Sequence, residues 1–248
     1  MVRGMNSIPM PTPALANADI QIPEAMNPEQ PAGGIRSFTL NGPAGRLEAL
    51  LNTGANDAPC AALVCHPHPA FGGTLHNKVV YHAMKAMNDR AQGLGWPVLR
   101  FNFRGVGRSQ GTHDGEAETS DVLAAMDWLE RKYGLPLVVA GFSFGAAMAL
   151  RACSRLRHDV RALVALGLPA NVPGPAYHYS FLRTLALPKL FLSGDRDQFA
   201  TAAQLTEVVD AAAEPKRLEL IRGADHFFTD RLEPMQAALA GWLKEQAL

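Results

Sequence analysis

The chain has 248 residues, 48% of them hydrophobic, with Lys+Arg and Asp+Glu equal at 23 each. That length and apolar content allow a sizeable buried core, and the balanced charge provides no field that would draw nucleic acid or an anionic membrane as a partner. No run of ~18 uncharged apolar residues occurs, so no transmembrane helix is expected.

Residues 1–33 are rich in Pro, Ala, Asn and Met without a sustained period, and read as a flexible N-terminal arm. Asn6, Pro9, Pro11 and Pro13 interrupt any signal-peptide core there. From residue 34 the pattern changes. Ser37–Leu40 and Arg46–Leu51 look like two short strands around the turn Asn41-Gly42-Pro43. Ala61–Cys65 reads as a buried strand, followed by a Pro/Gly-rich loop, His66–Gly73. A helix is expected from about Asn77, with Val79, Val80, Ala83, Met84 and Met87 at helical spacing. Pro97–Phe103 is the next strand, and the loop Arg104–Gly111 follows it.

A helix is expected over Glu118–Tyr133, then a strand at Leu137–Ala140 and a helix rich in small residues at Ala146–Leu156. Ala162–Leu166, Leu190–Leu192 and Leu218–Ile221 are apolar runs of strand type, and Leu205–Ala212 and Gln236–Leu243 read as helices. This alternation implies βαβ units, hence one α/β domain over 34–248 with a mainly parallel central sheet and helices on both faces. Sites in such sheets form at the carboxyl ends of the strands.

Gly141-Phe142-Ser143-Phe144-Gly145 stands between a strand and a helix. Gly-x-Ser-x-Gly in that context lifts a serine on a strained turn above the sheet, with glycines where side chains would collide. The start of the following helix offers free N–H groups to a developing oxyanion. Ser143 is therefore the candidate nucleophile; a Gly/Ser turn without chemistry is the alternative.

From about residue 35 onward the chain resembles the α/β-hydrolase superfamily. Cys65-His66-Pro67-His68-Pro69, Gly72-Gly73, Asn77-Lys78-Val79-Val80 and Phe101–Ser109 are similar to small bacterial hydrolases related to dienelactone hydrolase. Dienelactone hydrolase itself carries cysteine at the elbow where this chain has Ser143, which argues against a dienelactone substrate.

A serine hydroxyl needs a base, and the base an orienting partner. The superfamily's chain order is Ser, acid, His. Of the histidines after Ser143, His158 follows the far end of the elbow helix and His178 precedes the penultimate strand. His226 comes just beyond the last strand and is the candidate base. Asp195 and Asp197 both follow Leu190–Ser193; the Gly-x-x-Asp pattern of the resembling family points to Asp197, with Asp195 a turn former. Asp225, adjacent to His226, is a weaker candidate. The expected oxyanion donors are the backbone N–H groups of Phe144, after the nucleophile, and His68, since prolines 67 and 69 have none.

His66 and His68 are close enough to share a metal, but nothing nearby completes a ligand set, so no metal is expected. The loop Arg104–Gly111 lacks the endings of phosphate-binding loops and reads as a structural loop at the site's rim, so no cofactor is expected. Glu116, Glu118 and Asp121 look like acidic residues favoured by a helix dipole. Cys60, Cys65 and Cys153 are too few for a disulfide framework, which suits a reduced, cytoplasmic setting, and Cys65 reads as a core residue. Roughly 19 residues separate the strands that in the superfamily often admit a lid, too few for a large cap domain. The expected activity is hydrolysis of a small-molecule ester with a short acyl group. Thioesterase or amidase chemistry on the same residues, and a non-catalytic binding protein on the same fold, are the alternatives. An arm folded over the site is an alternative source of apolar surface for longer chains.

Overall fold

A computed structural model describes residues 34–155, 158–174 and 177–246. The arm expected over residues 1–33 lies outside the described residues. Eight strands, β1 (Ile35–Gly42), β2 (Gly45–Asn52), β3 (Ala61–Cys65), β4 (Val98–Phe101), β5 (Leu137–Phe142), β6 (Val160–Leu166), β7 (Lys189–Gly194) and β8 (Lys216–Ile221), form one sheet. Their spatial order is β1-β2-β4-β3-β5-β6-β7-β8. The first hairpin is antiparallel, and β2 meets β4 antiparallel. From β4 to β8 every neighbour is parallel.

The helices are α1 (Lys78–Asn88), α2 (Glu118–Tyr133), α3 (Phe144–Cys153), α4 (Ala202–Asp210) and α5 (Leu232–Glu245). They divide between the two faces, and the strands show why. Ala61, Leu63 and Cys65 of β3 bury into the layer that holds α2, α3 and α4. Ala62 and Val64 bury into the layer that holds α1 and α5. Side chains alternate along a strand, so a strand covered on both faces must be apolar throughout, as this run is. Cys65 sits in that core, and all three cysteines are buried and unpaired. No described helix is long and apolar enough to cross a membrane.

Several boundaries differ from expectation, three of them for a clear local reason. Asn41 and Gly42 belong to β1, paired with Arg46 and Gly45, so the turn lies at Pro43 and Ala44. Helix α3 begins at Phe144, two residues early, because its Gly145 is a packing glycine rather than a turn glycine. Helix α5 begins at Leu232, before Pro234, which lies in the first turn where a missing N–H breaks no intrahelical bond. Between β6 and β7 the described residues include the short 3-10 turn Ser180–Arg183 and no cap domain.

Candidate active site

Strand β5 ends at Phe142 and α3 starts at Phe144, so Ser143 alone makes the turn between them. Its φ of 55° and ψ of −119° lie outside the favoured regions for a non-glycine residue, a strain of order 1–3 kcal/mol that its surroundings must hold. The Ser143 N–H donates to the Leu166 carbonyl at 2.8 Å, tying the turn to β6. The flanking glycines do different jobs. A Cβ on Gly141 would strike the backbone of Gly145, so Gly141 clears the turn itself. A Cβ on Gly145 would strike the carbonyl oxygens of Cys65 and His66, so Gly145 lets α3 rest on the end of β3.

β6, β7 and β8 follow β5 in parallel, each beside the last, and the loops after β7 and β8 carry Asp197 and His226 to the same edge of the sheet. His226 Nδ1 lies 2.8 Å from Asp197 Oδ2, and His226 Nε2 lies 3.0 Å from Ser143 Oγ. A carboxylate only accepts, so the proton between them sits on Nδ1. Neutral Nε2 is then an acceptor, and the Ser143 hydroxyl donates to it. His226 and Asp197 are 3% and 4% exposed, whereas Ser143 opens to the cleft. The imidazole is walled by the rings of Phe142, Phe199 and Phe227, with centroids 5.0, 4.5 and 5.2 Å away.

Asp197 is fixed by two further donors, the Ser193 hydroxyl to Oδ2 at 2.9 Å and the Phe199 N–H to Oδ1 at 2.8 Å. The other aspartates are occupied elsewhere. Asp195 accepts from the Gly223 N–H at 2.7 Å. Asp225 accepts from the N–H groups of Phe227 and Thr229, which caps its own turn. Sequence reasoning did not single out Ser193. Its signal is a hydroxyl at the carboxyl end of an otherwise apolar strand.

In the loop after β3, the two histidines part ways. His66 is fully buried. Its Nδ1–H donates to the Pro67 carbonyl at 2.6 Å and its Nε2 accepts from the Phe103 N–H at 3.0 Å. Both ring nitrogens are used, which leaves none for a metal. His68 lines the cleft with Ser143, and its Nδ1 accepts from the Ala70 N–H at 3.2 Å. Among the described residues, neither the His68 N–H nor the Phe144 N–H has a hydrogen-bond partner. Burial, with His113 nearby, lowers the pKa of His68.

Glu118 and Asp121 do more than face a helix dipole. Both are fully buried. Asp121 holds Arg104 through both carboxylate oxygens, at 2.7 and 3.0 Å. Glu118 accepts from His113 at 2.7 Å, and the His113 ring packs on His68 and Phe144 at 4.8 and 5.5 Å. The loop Arg104–Gly111 is pinned to β2 instead of framing the site: Glu48 accepts from the Arg108 N–H at 2.9 Å, and none of the loop's residues lines the cleft.

His66 gives a pH test of the fold. Burial lowers its pKa from 6.5 to about 4. The unfolded chain therefore takes up a proton between those values that the folded chain refuses, so stability is full above pH 6.5 and falls as the pH drops towards 4. The linked loss is about 3 kcal/mol. Urea midpoints at pH 7 and pH 4.5 are expected to fall more steeply in the wild type than in His66→Gln; parallel slopes would reject the assignment.

The cleft at Ser143 has a volume of about 240 Å³. Its apolar walls are Phe71, Val172, Tyr177, Phe199 and Phe227. A second cluster of possible ligand atoms, from Asp127, Glu130 and His158, lies at the opposite edge of the sheet, before β6. There His158 Nε2 and Nδ1 lie 3.4 and 3.0 Å from the Asp127 and Glu130 carboxylates.

Residues 73–241 match the family model of the alpha/beta hydrolase domain. The chain belongs to the α/β-hydrolase family. This hydrolase is 36% identical over 212 residues to an uncharacterised protein of Rickettsia prowazekii, covering 82% of this chain and 87% of that one. A structure described as an alpha-beta serine hydrolase homologue from Coxiella burnetii is 33% identical with a TM-score of 0.75, covering 84% of this hydrolase and 97% of that chain. A Xanthomonas campestris structure, described as an a/b serine hydrolase without lid, is 31% identical with a TM-score of 0.75, covering 88% and 97%.

Proposed function

We propose that the protein hydrolyses small carboxylic esters of short acyl chains through an acyl-enzyme intermediate. The observation that carries this reading is the unbroken hydrogen-bonded series Ser143–His226–Asp197 at the mouth of a cleft. The solved relatives described as serine hydrolases support it.

In this reading Ser143 Oγ attacks the ester carbonyl while His226 Nε2 takes its proton. Asp197 holds the tautomer that makes Nε2 a base and stabilises the imidazolium that forms. The N–H groups of His68 and Phe144 receive the oxyanion. Collapse of the tetrahedral intermediate breaks the carbon–oxygen bond, and the imidazolium gives its proton to the departing alcohol. Water then attacks the acyl-enzyme with His226 again as base, releasing the acid and restoring Ser143.

The acyl preference follows from volume. A cleft of about 240 Å³ without a cap among the described residues has little surface for a long chain, and each CH₂ left in water forgoes about 0.8 kcal/mol. The kcat/KM values for p-nitrophenyl acetate, butyrate, octanoate and palmitate are expected to peak at acetate or butyrate. A steady climb to palmitate would contradict the short-chain reading. Thioester and anilide analogues of the best acyl group complete the panel, and faster turnover of either would replace the ester assignment.

A further inference from the structure

Asn77 and Phe227 border two cavities at once. One is the Ser143 cleft. The other is a groove of about 520 Å³ over the start of α1, lined also by His76, Lys78 and Asp230. The groove is thus the continuation of the cleft past Phe227.

Three of its polar side chains, those of Asn77, Lys78 and Asp230, keep hydrogen-bonding capacity. The Asn77 side-chain oxygen caps α1, accepting from the Val79 and Val80 N–H groups at 2.9 and 3.4 Å. Its NH₂ group faces no acceptor among the described residues. Lys78 and Asp230 are exposed and, among the described residues, neither forms an ion pair. Phe227 is 50% exposed and offers an apolar face between the two cavities.

We propose that this groove receives the alcohol half of the ester, and that this alcohol is neutral and carries several hydroxyl groups. The inference rests on the esterase reading above. His226 must deliver its proton to the leaving oxygen, so the alcohol lies on the His226 side of Ser143. Phe227 follows His226 directly and opens on the groove, while Val172 and Tyr177 wall the cleft away from it. The charges in the groove select against charged alcohols, since Lys78 and Asp230 offset each other: an ion drawn by one is repelled by the other. A hydroxyl uses both, accepting from Lys78 or Asn77 and donating to Asp230. A plain alkyl group would strip water from these groups and return no hydrogen bond.

The test is acetate release from 1-acetylglycerol and propyl acetate, which share acyl group and three-carbon alcohol and differ in two hydroxyls. One net hydrogen bond corresponds to roughly tenfold in kcat/KM, and the glycerol ester is expected to be faster by at least about that factor. Intrinsic leaving-group reactivity is the same for every variant, so the decisive quantity is how this ratio changes. It is expected to fall about fivefold or more in Lys78→Met and in Asn77→Ser, the second of which keeps a capping oxygen for α1. An unchanged ratio in both variants overturns the proposal, as does faster turnover of acetylcholine or acetylglycolate than of the glycerol ester. Both results leave the esterase reading standing if p-nitrophenyl acetate is cleaved. Failure to cleave every one of these esters, with no fluorophosphonate label on Ser143, removes the esterase reading and the groove assignment together.

Discussion

Ser143→Ala is expected to lower ester turnover by about 10⁴- to 10⁶-fold while leaving the fold intact. The hydroxyl's one side-chain bond is to His226 at the edge of an open cleft, so its removal leaves only His226 Nε2 without its partner, where water in the cleft can replace it. The backbone turn, held by the Leu166 carbonyl, is unaffected by the loss of Oγ. Any residual rate would come from the N–H groups and from binding alone. Turnover of p-nitrophenyl acetate, fluorophosphonate labelling and the urea midpoint test this together. A variant that folds and retains near-wild-type hydrolysis would remove Ser143 as nucleophile.

The second large effect concerns the two aspartates after β7. Asp197→Asn is expected to cost on the order of 10⁴-fold in kcat, and Asp195→Asn less than about tenfold. Both oxygens of Asp197 accept hydrogen bonds, one of them from the Phe199 N–H and the other from Ser193 and His226. An asparagine can satisfy Phe199 with its carbonyl only by turning its NH₂ towards His226. The imidazole must then accept at Nδ1 and carry its proton on Nε2, where it can no longer take one from Ser143. Asp195 meets a single backbone N–H, that of Gly223, and asparagine keeps that acceptor. A larger loss at position 195, or equal losses at both, would reverse the assignment. The pH–rate profile adds a second readout, because a tautomer defect lowers the whole profile, whereas a merely loosened loop leaves the plateau near the wild type.

Much of the fold could be read because β3 and β5 are apolar throughout, and the short runs 61–65 and 137–140, bounded by turn residues, fit a strand buried on both faces. Boundaries failed where one residue had two meanings. Gly145 resembles a turn glycine in sequence but works by close approach to β3, and Pro234 resembles a helix stop but lies where no N–H is needed. Ser143 and His226 were singled out by their places after strand ends in the chain order of the resembling superfamily, and Asp197 by that family's Gly-x-x-Asp pattern. The structure brings the three into hydrogen-bond contact. What lines the cleft was not legible. Phe71, Tyr177 and Phe199 come from three different loops, and neither periodicity nor motif links residues that meet only through tertiary packing. The burial of Glu118 and Asp121 was hidden for the same reason, since their partners His113 and Arg104 lie in a loop whose path the sequence pattern leaves open.

The contact between Gly145 and the carbonyls of Cys65 and His66 joins main chain to main chain. It sets the spacing between the two segments that carry the Phe144 and His68 N–H groups, with no side chain intervening. Exchanging Val172 or Tyr177, on the loop after β6, would alter the space offered to a substrate without touching either segment, whereas the Phe71 ring packs on His68 at 4.9 Å. A scaffold wired in this way can change its diet one loop residue at a time, while a single methyl group at position 145 would disturb every substrate alike.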